Sequence, residues 1–258
     1  MEPLISVITV SYNASQCIED TILSIIEQRY DNFEYIIIDG GSSDTTLNII
    51  RKYQSKITHC ISEPDAGIYD AMNKGVHKSK GKYIIFINAG DTLCNNETLK
   101  NCASVLKADP TIDVLYGNTI LKYSFGSYIT KPAAIQEISK HMFFCHQSSF
   151  CKRELLEKYP FDTKFKIAAD YNLFKSLYVK HSKFKYYDMC IAIYEAEDGL
   201  SSKSHHKLLK EYSIINQIKH PWLNASWWGV YIHKLLKLIL PSSLYIKFKK
   251  SRINGVEI

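Results

Sequence analysis

The chain has 258 residues, 46% hydrophobic and 22% charged, enough to bury a full core in one large domain or in one domain with an appendage. Its seven cysteines are scattered, odd in number and without a C-x-x-C pair, which argues against a disulfide framework or a zinc site and for a reducing compartment. The net charge of +6 is uneven: Lys203 to Arg252 holds ten Lys/Arg against the single acid Glu211, so a near-neutral body carries a basic tail suited to an anionic surface.

In chain order, Leu4 to Val10 is short, apolar and β-branched, which predicts a buried strand. Asn13 with Gln16 reads as a capping box for a helix that carries Ile18, Ile22, Ile25 and Ile26 on one face. Phe33 to Asp39 is a second buried strand. Gly40 to Asp44 is a tight loop, with Asp44 read as an N-cap for the helix through Leu47, Ile50 and Tyr53. Ile57 to Ile61 is a third strand. Pro64, Asp65 and Gly67 form a turn before a helix with Ile68, Ala71, Met72 and Val76 on one face. Tyr83 to Ile87 is a fourth strand, and Asn88-Ala-Gly-Asp91 ends it abruptly. Alternation of strands and helices predicts a parallel α/β sheet. Asp39, Asp65 and Asp91 then share one sheet edge, where open α/β sheets place ligand chemistry.

Beyond Asp91 the pattern predicts a helix from Glu97 to Leu106 and a strand from Ile112 to Tyr116. Irregular strands or a hairpin follow over 117–150, then helices from Lys152 to Tyr159 and from Ala168 to Tyr178, and a last strand from Lys185 to Tyr194. Asp170 falls in the first turn of its helix. Glu195 to Ser204 is polar and reads as a mobile loop, its part Glu197 to Ser202 closing over ligand as a lid. Trp227 to Leu240 reads as a helix lying in a membrane interface, or equally as an apolar helix docked on the body. Lys247, Lys249, Lys250 and Arg252 follow among aromatics and favour anionic lipid. No basic stretch at the N-terminus marks a signal peptide, and no apolar run reaches the ~20 residues of a spanning helix.

Six stretches together resemble family-2 glycosyltransferases, in particular the bacterial enzymes that build O-antigen, capsule and colanic-acid-type polysaccharides. They are Ile5 to Asn13, Ile37 to Thr45, Ser62 to Gly75, Phe86 to Asp91, His146-Gln147 and Ala168 to Tyr171. The resemblance implies a GT-A fold: α/β, with a mainly parallel central sheet flanked by helices, followed here by an amphipathic helical tail. It divides the chain into a transferase domain, 1–204, with a nucleotide-sugar half, 1–92, and an acceptor half, 93–204, and leaves 205–258 as the basic tail.

The resemblance also implies the chemistry. A sugar passes with inversion from a UDP-sugar to a hydroxyl, with Mg²⁺ or Mn²⁺ neutralising the leaving diphosphate. Asp91 is the implied metal ligand, because Asn88 and Gly90 stand where the family usually has an Asp-x-Asp; Asn88 is left to bond a phosphate or metal-bound water. Asp39 resembles the acceptor of uracil N3, with Thr9, Tyr12 and Asn13 lining the same pocket and Gly41 in its loop. Asp65 and Gly67 form the next wall, and Asn73 and Lys74 point toward the diphosphate. Asp170 matches the catalytic base, and a carboxylate at a helix N-terminus tends to stay ionised and able to take a proton. His146 and Gln147 match an acceptor-side or diphosphate-side pair. His205 and His206 are further candidates for a metal ligand.

The expected role is a cytoplasmic enzyme, peripheral on the inner membrane, that moves a hexose or N-acetylhexosamine onto a lipid-linked, polyprenyl-diphosphate oligosaccharide and gives a β-linkage. A GDP-sugar donor is an alternative. So is a nucleotide-sugar-binding subunit of another transferase, which would have no need of Asp170. A nucleic-acid binder fits poorly, because the strand-end aspartates would then have no purpose.

Overall fold

A computed structural model describes residues 2–197, 199, 204–220, 239–253 and 255–258. The first half alternates as the sequence predicts: β1 (Ile5–Ser11), α1 (Ile18–Ile26), β2 (Phe33–Asp39), α2 (Thr46–Lys52), β3 (His59–Ser62), α3 (Ile68–Lys78) and β4 (Tyr83–Phe86). These strands pair in parallel in the order β3-β2-β1-β4. Every residue of β1 and β4 is buried, as a sheet covered on both faces requires. Successive side chains point to opposite faces. Ile8, Val10, Ile36, Ile38 and Ile84 therefore pack against Met72 and Val76 of α3. Ile5, Val7, Ile37, Tyr83 and Ile85 pack on the other face with Ile18, Ile22 and Ile25 of α1. The helix α3 lies close on the sheet: a Cβ on Gly75 would come within 2.6 Å of Ile8 Cγ2.

The second half adds β5 (Thr92–Leu93), α4 (Thr98–Ala108), β6 (Val114–Tyr123), β7 (Gly126–Thr130), β8 (Ser149–Lys152), α5 (Arg153–Lys158), α6 (Ala169–Val179) and β9 (Phe184–Glu195). Here most pairings are antiparallel. The strand β8 joins β4 to β6, β6 and β7 form a hairpin, and β9 runs parallel to β6 and antiparallel to β5. The sheet is thus mixed, with its parallel part confined mainly to the first half of the chain.

Three expectations are corrected. Asn13 and Gln16 form no capping box: Cys17 is the N-cap of α1 and makes no side-chain cap bond. Asn13 instead takes φ +46° and accepts from the Ser43 N–H at 2.9 Å, so it links two loops. The strand predicted to end at Tyr116 runs on to Tyr123. The strand ending near Tyr194 is not the last. After α7 (His205–Ile215) and α8 (Ser242–Lys250), β10 (Val256–Glu257) pairs antiparallel with β7 at the sheet edge. Leu208, Tyr212 and Ile215 of α7 pack against the core. The predicted interfacial helix from Trp227 lies almost wholly outside the described residues, as does most of the predicted lid from Glu197 to Ser202. Among the described residues no helix is long and apolar enough to cross a membrane.

Candidate active site

The C-terminal ends of β1, β2 and β4 deliver three loops to one edge. At the end of β2, Asp39 is fully buried and works as a hub. Its Oδ1 accepts from the Ser11 hydroxyl (3.0 Å) and the Ser42 hydroxyl (2.5 Å). Its Oδ2 accepts from the N–H groups of Gly41 (3.1 Å) and Ser42 (2.8 Å) and from the Ser62 hydroxyl (2.8 Å). Burial pushes its pKa up, but these hydrogen bonds outweigh burial and hold the carboxyl below its ordinary value. A carboxylate offers about four lone-pair sites, so five donors fill it. A base N–H can reach Asp39 only by displacing a serine hydroxyl. Gly41 supplies the φ of +79° that this tight loop needs. Asp44 accepts from the Thr46 N–H at 3.0 Å at the start of α2, but the N-cap is Thr45, so Asp44 stands one residue ahead of the cap position expected for it.

Tyr12 stands 66% exposed beside this loop, with its ring near Gly40. Asp65 accepts from the Gly67 N–H at 2.8 Å and also lies close to Gly40. Tyr12, Asp65 and the Gly40–Gly41 turn therefore meet as one wall. Gly67, at φ +122°, faces open space.

Three candidates lie elsewhere or serve the scaffold. Thr9 is fully buried, donates to the Ile87 carbonyl at 2.8 Å and lies 3.1 Å from the Tyr35 hydroxyl, so it braces β1 against the neighbouring strands instead of lining a pocket. Asn73 clamps the backbone of Phe161, donating Nδ2 to its carbonyl (2.9 Å) and accepting its N–H (3.0 Å), so its amide is not aimed at a diphosphate. Lys74 is held by Glu63 at 2.8 Å and donates to the Pro64 carbonyl at 3.0 Å, which ties down the loop before α3.

The chemistry converges on the turn after β4. Gly90 takes φ +102°, a conformation that disfavours a side chain, so the missing second acid of an Asp-x-Asp has a backbone reason here. Thr21 holds this turn, accepting from the Gly90 N–H (3.0 Å) and donating to the Asp91 carbonyl (2.8 Å). The Asp91 carboxylate is buried; it accepts from Gln147 Nε2 at 2.9 Å and from the Glu195 N–H at 3.3 Å. Burial pushes its pKa up to about 6.

A short 3₁₀ turn, His146–Ser148, carries the network onward. His146 places Nε2 3.3 Å from Asn88 Nδ2 and Nδ1 3.2 Å from Asp170 Oδ2. A neutral imidazole with its proton on Nδ1 satisfies both contacts, accepting from Asn88 and donating to Asp170. Asp170 Oδ1 also accepts from the Tyr171 N–H (2.9 Å) and lies 3.0 Å from the Tyr69 hydroxyl. The single Tyr69 proton is shared with the Ile167 carbonyl at 2.7 Å, and on Oδ2, which takes the His146 proton, one acceptor site stays open. Burial, followed by the Asp170 charge, raises the Tyr69 pKa well above its ordinary value, so the phenol keeps its proton. Asp91, Gln147, His146 and Asp170 form a continuous chain from the end of β4 to the start of α6.

The donor set decides what cation fits. Among the described residues no cluster of three or more His, Cys, Asp or Glu could hold a metal ion, and that includes His205 and His206. Asp91 keeps about two acceptor sites open, and Asn88 Oδ1 is buried with no hydrogen-bond partner among the described residues. Two oxygens fit Mg²⁺ or Mn²⁺ when a diphosphate supplies most of the ligands, and do not fit an all-protein cage.

Tyr69 and the serines around Asp39 escaped sequence reasoning. All four, Ser11, Ser42, Ser62 and Tyr69, fall inside the recognised stretches, but none carries a local signal of the partner its hydroxyl meets. Beside Cys145 opens a cleft of about 430 Å³ whose walls include Thr119, Tyr123, Phe143, Phe144, Tyr194 and Arg252.

The family described as glycosyl transferase family 2 matches residues 6–163. A PGL/p-HBAD biosynthesis glycosyltransferase of Mycobacterium bovis is 26% identical over 208 residues, 78% of this chain and 80% of that one. TuaG of Bacillus subtilis, named for teichuronic acid biosynthesis, is 38% identical over 93 residues, 35% of this chain and 37% of that one. In structure, residues 1–349 of S. aureus TarS in complex with UDP-GlcNAc superimpose with a TM-score of 0.67 at 19% identity, covering 83% of this chain and 66% of that one.

Proposed function

This chain belongs to glycosyltransferase family 2, and we propose that it moves a hexose or N-acetylhexosamine from a UDP-sugar to a hydroxyl of a lipid-linked saccharide in surface-polysaccharide assembly, with inversion to a β-linkage. The carrying observation is the chain Asp91–Gln147–His146–Asp170, which sets a buried acid beside a carboxylate with one open acceptor site. The TarS complex with UDP-GlcNAc supports a UDP-sugar, and the teichuronic acid name of TuaG supports a surface-polymer product.

In this reading Tyr12 stacks on the base, and the Asp39 hub shapes its loop and exchanges a serine hydroxyl for the base N–H. Asp65 and Gly67 wall the ribose. Asp91 and Asn88 hold Mg²⁺ or Mn²⁺, which when bound neutralises charge on the leaving diphosphate. His146 fixes the Asp170 carboxylate through its Nδ1–H, and the open Oδ2 site takes the acceptor's proton as its oxygen attacks the anomeric carbon. The aromatic cleft beside Cys145 receives the acceptor. The protein works on the cytoplasmic face of the inner membrane, attached peripherally through its basic tail.

Titration calorimetry with UDP and with GDP, each with and without Mn²⁺, tests the donor side. We expect UDP to bind more tightly with Mn²⁺ and GDP to bind weakly; stronger binding of GDP would overturn the donor assignment. Asp170→Asn should keep UDP binding and lose transfer by about 10²–10⁴-fold. Near-normal turnover in that variant would remove Asp170 as base.

A further inference from the structure

The helix α6 that carries Asp170 begins without a cap of its own: its N-cap is Ala168, and it makes no side-chain cap bond. A helix start leaves N–H groups without intrahelical partners and concentrates positive potential there. Asp170 supplies one anion inside the first turn; a second comes from α7 and holds the segment that leads into it. Glu211 Oε1 accepts from the Lys166 N–H at 2.8 Å, and its Oε2 accepts from Ile167 at 3.0 Å and Ala168 at 2.9 Å. Three successive N–H groups on one carboxylate are a fixed anchor. It is also the one acid in a stretch with ten basic residues.

The anchored segment touches the site from its other side. The Ile167 carbonyl accepts from the Tyr69 hydroxyl at 2.7 Å, and the same hydroxyl faces Asp170. A second contact holds α7 in register. The side chain of Asn216, which follows α7, accepts from the Tyr171 hydroxyl at 2.6 Å and from Lys175 Nζ, and donates to the Lys140 carbonyl at 2.8 Å. The rings of Tyr212 and Tyr171 lie 4.5 Å apart. The helix therefore fastens both the start of α6 and the chain that leads to His146.

We infer that Glu211 is a positioning residue for the transfer reaction: by capping α6 from outside, it sets where the Asp170 carboxylate stands relative to His146 and Tyr69. This rests on Asp170 being the base of the proposed transfer. Glu211→Gln removes the charge and turns an N–H donor toward N–H donors; Glu211→Asp keeps the charge on a shorter stem.

Two readouts separate this inference from the reading beneath it. The first needs no turnover: the NMR shifts of the His146 ring, 3.2 Å from Asp170, at one fixed pH, with hydrogen exchange at Lys166 to Ala168. We expect Glu211→Gln to speed that exchange and to move the His146 ring shifts, with Glu211→Asp closer to the parent. The second is transfer to water, read as UDP release from UDP-GlcNAc. We expect kcat to fall roughly ten- to a hundredfold, as for a catalytic group displaced by up to about 1 Å, with donor KM and UDP affinity within about twofold. Faster exchange with unchanged His146 ring shifts and kcat would reduce Glu211 to a helix cap and overturn the inference. A parallel loss of UDP affinity would also overturn it, since the residue would then be holding the whole body. If the parent protein releases no UDP from UDP-GlcNAc, the donor reading fails and the His146 ring shifts still decide the role of Glu211.

Discussion

At the scale of single residues, the buried acid at the end of β4 has a pH signature of definite sign. Asp91 titrates near 6 in the folded protein, above the ordinary value of 3.8, chiefly because burial disfavours its charged form. Between about pH 4 and pH 6 the folded chain therefore holds a proton that the unfolded chain has lost. Stability from this group is highest below that window and declines as pH rises through it, by about 3 kcal/mol in all. A dication bound at Asp91 favours the ionised form and reverses that penalty. Thermal unfolding with UDP should thus show a rise in midpoint on adding Mn²⁺ at pH 7.5, and a much smaller rise at pH 5. Asp91→Ala should show no Mn²⁺ response at either pH. An equal Mn²⁺ response in parent and variant would place the metal elsewhere.

At the scale of elements, what the sequence made legible follows from periodicity. The strands β1, β2 and β4 are mostly apolar and, Phe33 apart, buried at every position because both faces are covered, and such runs are visible in one dimension. The direction of a polar side chain is not. Thr9 and Asn73 sit inside recognised stretches, yet one is turned into the core and the other across to Phe161, 88 residues away in the chain. Neither orientation has a local signal, since each depends on which distant backbone group needs a partner. The parallel pairing of β9 with β6 is hidden for the same reason, its register being interrupted by irregularities near Asn118. Asn73 gives the test. Two hydrogen bonds to one backbone unit are worth about 1–3 kcal/mol together, so Asn73→Ala should lower urea stability by that amount and leave UDP affinity unchanged. A selective loss of UDP affinity at unchanged stability would restore its reading as a diphosphate contact.

At the scale of the whole molecule, the basic tail has a structural role that its composition concealed. The pairing of β10 with β7 closes the sheet edge that the β6–β7 hairpin would otherwise expose. Lys249 lies 5.4 Å from the Tyr123 ring and 5.3 Å from the Phe125 ring and pairs with Glu197 at 3.2 Å, while Lys250 pairs with Glu257 at 2.8 Å. Two of the four charges first assigned to anionic lipid are therefore engaged by the body, and at roughly 1 kcal/mol for each basic residue near an anionic surface they matter to the outcome. A chain ending at Lys219 should keep α7 and its Glu211 anchor, and so should keep UDP binding. It should lose stability and gain a tendency to associate through the bared β7 edge. Its binding to vesicles containing phosphatidylglycerol should fall to that of neutral vesicles. Lys249→Ala in the full chain separates the two roles of the tail: it should loosen the edge while vesicle binding stays close to that of the parent. Retained vesicle binding in the shortened chain would move the membrane contact to the body; intact stability there would show that β10 is an ornament of the sheet and not its closure.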